Sequence, residues 1–217
     1  QAREGMALRP ELRGESLGTG ENGNWGCHIL DIPIWALEHG HPVHVVGSGP
    51  EPDPLRTPKS LTSRLDFPER RSAAGGRLPP VSVHWHQGVP AVVAERGLDA
   101  AAVKDKNTLF IGSKGMLLCG FDKWSLLPAE AFAGHEAPAR TIPPSPGFHR
   151  EWFDACRGGV PATCNFDYSG PLTESVLLAN IAYRVQGEFA WDAVAMKSGR
   201  EDVDRLLRRE YRRGWEV

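Results

Sequence analysis

The stretch G-T-G-E-N-G-N-W-G-C-H-I-L-D-I-P-I-W-A-L, residues 18–37, decides how the rest of the chain is read. Ile29, Ile32, Trp35 and Ala36 recur at helical spacing and Gly40 supplies a stop, which predicts a helix over residues 24–39. Pro33 removes a backbone donor inside that pattern, so a kink or break is expected near Leu30. Asn24, His28 and Asp31 stand at i, i+4 and i+7 and share one face of such a helix. A histidine flanked in this way can transfer protons, because its pKa lies near neutrality and Asn24 or Asp31 can orient the ring. The plainer reading of the same residues is a buried histidine satisfied by backbone in a glycine-rich packing region.

Upstream, residues 1–22 are rich in glycine and charge and carry no apolar period, and they read as an arm or loop. Residues 23–217 are expected to form one domain. Downstream the period changes. Residues 42–46, 60–67, 80–86, 108–112 and 115–119 are short β-branched or alternating runs separated by Gly, Pro and Asp. Ser113 and Lys114, followed by Gly115, make residues 107–120 a hairpin. Residues 138–147 carry four prolines and read as an extended crossing. Helical spacing returns with Phe148, Trp152, Phe153 and Cys156, closed by Gly158 and Gly159. A helix over residues 171–185 follows, with Pro171 in its first turn, and a charged C-terminal helix is expected over residues 201–213. Strands in the middle and helices at both ends predict an α+β fold: an open-faced, mainly antiparallel β-sheet with helices packed on one face. The open face, read as a large exposed apolar patch, predicts a homo-oligomer formed through it.

Composition narrows the function. The 217 residues are 41% hydrophobic and 24% charged, ordinary for a globular chain. With 25 Lys and Arg against 27 Asp and Glu, there is no electrostatic footprint for nucleic acid or an anionic membrane surface. The longest apolar run, residues 176–181, is far short of a membrane span. A cytoplasmic location is the expectation, with export following if a signal precedes Gln1. Cys27, Cys119, Cys156 and Cys164 form no CxxC pair and read as reduced thiols. Cys27 and His28, as helix neighbours, diverge by about 100° and make no nucleophile–base dyad. No GxSxG elbow, phosphate loop or strand-to-helix GxGxxG turn occurs: the string GTGENG, residues 18–23, follows no strand-like run. His84 and His86 flank Trp85 on a strand and project to one face, and with His44 they could approach a metal. Nothing completes a closed ligand set around them, so a polar sheet face at an interface is preferred and no metal is expected.

Taken in order, the blocks GTGENGNWGCHILDIPIWAL, LFIGSKGMLLCG, FHREWFDACRGG, CNFDYSGPLTESVLLANIAYR, EFAWDAVAMK and LLRREYRRGW resemble the C-terminal half of the glucose-fructose oxidoreductase, inositol dehydrogenase and MocA family, over residues 17–217. The resemblance implies a domain that binds a sugar-like substrate, normally preceded by a Rossmann domain holding NAD or NADP, which this sequence does not contain. In that family a histidine, an aspartate four residues before it and a lysine of an E-K-P motif in the Rossmann half handle the hydroxyl proton during hydride transfer. By motif His28 takes the histidine place, and Asn24 stands where the leading aspartate would be. Asparagine can hydrogen-bond a hydroxyl but cannot accept its proton. Asp31 matches the trailing aspartate, with Trp25 beside it as a substrate contact. His149, Asp167 and Tyr168 resemble recurrent family segments near the domain core and are second-rank candidates for substrate contact, although helix-start packing and capping also account for them. The implied function is the substrate-binding and oligomerisation half of an NAD(P)-dependent oxidoreductase acting on a sugar, polyol or related carbohydrate. The alternatives are a free-standing carbohydrate-binding or assembly module, and an NAD-dependent glycosidase or lyase of the same family.

Overall fold

The computed structural model describes residues 19–53, 57–58, 60–208 and 211–215. In chain order the elements are helices α1 (Gly20–Ile29) and α2 (Asp31–Ala36), then strands β1 (His44–Ser48), β2 (Thr62–Phe67), β3 (Arg70–Arg71), β4 (Arg77–Leu78) and β5 (Val81–His86). Helix α3 (Ala91–Glu95) precedes β6 (Thr108–Ile111), β7 (Met116–Cys119), β8 (Trp124–Leu127), a 3-10 turn at Ala129–Phe132, and α4 (Phe148–Cys156). Helix α5 (Phe166–Arg184), β9 (Glu188–Ala190) and α6 (Glu201–Asp204) complete the chain. Two compact units emerge, one from Gln1–Pro90 with Leu172–Val217 and the other from Ala91–Pro171.

The fold is mixed, with helices and antiparallel open sheets, in keeping with the α+β class. The expectation of one sheet is corrected, because the strands form three: β5-β2-β1-β9, the β3-β4 ribbon and β6-β7-β8. Chain locality explains the partition. The pairs β3-β4, β6-β7 and β7-β8 join sequence neighbours and satisfy their backbone groups without reaching the larger sheet. The hairpin centred on Ser113 and Lys114 is present as β6-β7, with Gly112 N–H donating to Gly115 O at 2.9 Å.

In the four-stranded sheet, alternation decides what is buried. Val45, Leu65, Phe67 and Phe189 face inward and form the core with Leu178 and Ala182 of α5, Trp191 and Val203. Helix and sheet meet closely at Gly47, where an added Cβ would lie 2.3 Å from Tyr183 N and 2.5 Å from Ala182 C. The opposite residues of the same strands are His44, Arg64, Asp66, Ser82, His84 and His86. The open face of this sheet is therefore polar, which corrects the expectation of an apolar patch there. Exposed large apolar side chains occur in both units, among them Trp35, Val194 and Trp215 in the first and Ile111, Trp124 and Phe148 in the second.

The break expected near Leu30 is present: α1 and α2 meet there, because Pro33 has no N–H to offer the carbonyl of Ile29. Three helix boundaries differ from the sequence reading, the first being the start of α1 at Gly20 rather than Asn24. Helix α5 begins five residues before Pro171, since Asn165 caps it: its Oδ1 accepts from Asp167 N–H at 2.9 Å and Tyr168 N–H at 3.3 Å. The C-terminal helix is only Glu201–Asp204; Val203 is its buried anchor, and Leu206 beyond it is 37% exposed and adds no second apolar turn. The arm expected over residues 1–22 lies outside the described residues as far as position 18, and Gly20, Glu21 and Asn22 already belong to α1.

Candidate functional site

Helix α1 has a back and a front. Asn22, Gly26 and Leu30, at i, i+4 and i+8, are all buried. The Asn22 amide donates to Val176 O at 2.9 Å and to Asn180 Oδ1 at 3.1 Å, both on α5. Gly26 allows the approach: a Cβ there would stand 3.3 Å from Val176 Cγ2, tighter than ordinary contact. The Asn180 amide in turn donates to Thr19 O at 3.0 Å, tying the start of α1 to the same helix.

With that back docked on α5, Asn24, Trp25 and His28 are left on the exposed front. His28 is not the buried, backbone-satisfied histidine of the plainer reading. Its ring stands edge-on to Trp25, with centroids 5.6 Å apart and planes 62° to one another. Trp25 is 41% exposed, so an indole face, an amide and an imidazole share one patch. Asp31 opens α2 immediately beyond Leu30 and is half-buried. Cys27 points back toward Gly23 O, and burial raises its thiol pKa, so no thiolate forms beside His28. Such a patch can stack on an apolar ring face, hydrogen-bond hydroxyls and move one proton.

His149, Asp167 and Tyr168 belong to the second unit and are described there on their own. His149 lies exposed in the first turn of α4 with its ring 4.2 Å from that of Phe148. Asp167 and Tyr168 give their backbone N–H groups to the Asn165 cap, which supplies the capping role weighed for this segment.

A second polar cluster covers the open face of the four-stranded sheet, and most of it escaped the sequence reading. Asp66 is its centre: Oδ2 lies 3.1 Å from His44 Nδ1 and 3.1 Å from Arg64 Nε, and Oδ1 accepts from Ser82 at 2.6 Å. Partial burial pushes the carboxyl pKa up, but the bonds from Ser82 and His44 and the Arg64 charge outweigh it and hold the group below its ordinary value. This is no nucleophile triad. The carboxylate sits between serine and histidine, so His44 has no contact through which to take the Ser82 proton. The signal in the sequence was the polar alternation at positions 62, 64 and 66, visible only once β1 and β5 are registered on either side.

No protein-family model matches the chain, and no curated protein matches it. No helix among the described residues is long and apolar enough to cross a membrane.

Proposed function

We propose that the chain is the substrate-binding and oligomerisation half of an NAD(P)-dependent oxidoreductase acting on a sugar, polyol or related carbohydrate, of the glucose-fructose oxidoreductase, inositol dehydrogenase and MocA type. The observation that carries the reading is the front of α1, where Asn24, Trp25 and His28 stand exposed together while Asn22, Gly26 and Leu30 hold the back. Trp25 offers its face to the apolar side of a pyranose or cyclitol ring. The Asn24 amide binds a hydroxyl without taking its proton, so the proton falls to a ring nitrogen of His28.

The residues described do not fit a dinucleotide. Among the described residues the strands of each sheet pair antiparallel and no strand leads through a glycine-rich turn into a helix, so no pyrophosphate cradle stands there. The cofactor would be held by another domain or chain, and the chemistry it supplies when bound is hydride acceptance. What this chain contributes is substrate orientation and proton handling.

The test has two arms. Calorimetric titration of the chain with aldohexoses and inositols should show binding that is lost in Trp25→Ala. With a dinucleotide-binding domain supplied, turnover should appear and fall roughly 10²- to 10⁴-fold in His28→Ala. Carbohydrate binding without turnover in the second arm would favour a non-catalytic binding module, a reading that Asn24 in place of an aspartate supports. Failure of every carbohydrate to bind would overturn both.

A further inference from the structure

His84 and His86 occupy alternate positions of β5, so both imidazoles stand on the open face while Trp85 between them is buried. Their rings are stacked, with planes 6° from parallel and centroids 6.2 Å apart. Strand β5 lies at the edge of its sheet, and across its one paired side Arg64 faces His84 and Thr62 faces His86. Arg64 is the cation nearest in register, and its Nε is bound to Asp66, two residues along β2 on the side away from Thr62 and His86. The guanidinium is thus drawn off the histidine pair and its charge is matched by a carboxylate.

Two imidazoles on one strand face form a donor pair suited to late first-row divalent metals. With a metal–nitrogen bond of about 2.0–2.1 Å, each ring centroid would lie about 3 Å from a shared ion. At the bent angle of tetrahedral or octahedral coordination two such rings would stand about 4.5–5 Å apart, so the observed 6.2 Å must close by about 1 Å, through side-chain rotation. Among the described residues no three His, Cys, Asp or Glu gather into a metal-holding cluster, so the pair is open rather than closed, with water completing the coordination.

We propose that His84 and His86 form an open, two-ligand surface site for a divalent transition metal of the nickel, copper and zinc class, separate from the α1 patch. The probe is nickel(II) chloride, titrated calorimetrically into the intact chain near pH 7.5. One ion per chain is expected, with the heat lost in His84→Gln and independently in His86→Gln, and retained in His135→Gln on the second unit. His84 is exposed, so its replacement leaves the thermal melt unchanged, and the metal-free melts of both variants check the fold. Binding should weaken as the pH falls through the imidazole range, because protons compete for the same lone pairs. No heat up to millimolar nickel, or an undiminished heat in a folded His84→Gln variant, would overturn the site.

Discussion

At the scale of single residues, His39 is a polar group that folding holds at a cost. It is 8% exposed and stacked on Phe67 at 4.3 Å, and neither ring nitrogen has a hydrogen-bond partner. Burial, and then the charge of Arg70, depress its pKa from 6.5 to about 4. The folded protein therefore binds a proton on His39 less readily than the unfolded chain does. Its neutral form is fully tolerated above pH 6.5, and stability drains away as the pH falls from there toward 4. The whole effect is at most about 3 kcal/mol. His39→Phe should flatten the acid side of the stability curve, measured as melting temperature between pH 7 and 4.5; an unchanged slope would mean that the acid sensitivity lies elsewhere.

At the scale of elements, two close fits make sharp expectations. Gly47→Ala drives a methyl group into the α5 backbone at Tyr183 and Ala182, neither of which can rotate away, and should destabilise by about 1–3 kcal/mol or prevent folding. Asn165→Ala removes the cap of α5 and should cost about 1 kcal/mol, read as a lower denaturant midpoint with unchanged slope. These elements also show what a sequence can disclose. The strands at β1, β2, β5, β6 and β7 and the interruption at Leu30 were legible, because alternation and a proline act locally. Strands β8 and β9 were not: Trp124–Leu127 is four residues without alternation, and Glu188–Ala190 is three residues defined by pairing with β1 far away in the chain. The early start of α5 was hidden because Pro171, a natural first-turn residue, sits inside the helix. For the candidate site, helical spacing placed Asn24 and His28 on one face but could not say that this face looks outward. That follows from Asn22, whose amide bonds lie 154 and 158 residues away along the chain.

At the scale of the whole molecule, burial is unevenly divided. The first unit holds nearly all of the buried apolar side chains, whereas the second buries Val93, Leu118 and Cys119. Fewer buried contacts make local opening easier, so amides of β6, β7 and α4 should exchange with solvent faster than those of β1, β2 and α5. Residues 134–147 carry no regular structure and are exposed throughout, which makes Arg140 the first site expected for limited tryptic cleavage, identified by the mass of the fragments. Early cleavage within α5 instead would contradict this distribution. The two-sidedness of α1 reaches further than a single fold. Because docking is assigned to Asn22, Gly26 and Leu30 and the outward patch to Asn24, Trp25 and His28, the requirements for folding and for recognition fall on different letters of one short stretch. A library randomised at 24, 25 and 28 should yield mostly folded proteins, and one randomised at 22, 26 and 30 mostly unfolded ones. Under the proposed function, single substitutions at 24, 25 and 28 would change ligand preference while the architecture stays still.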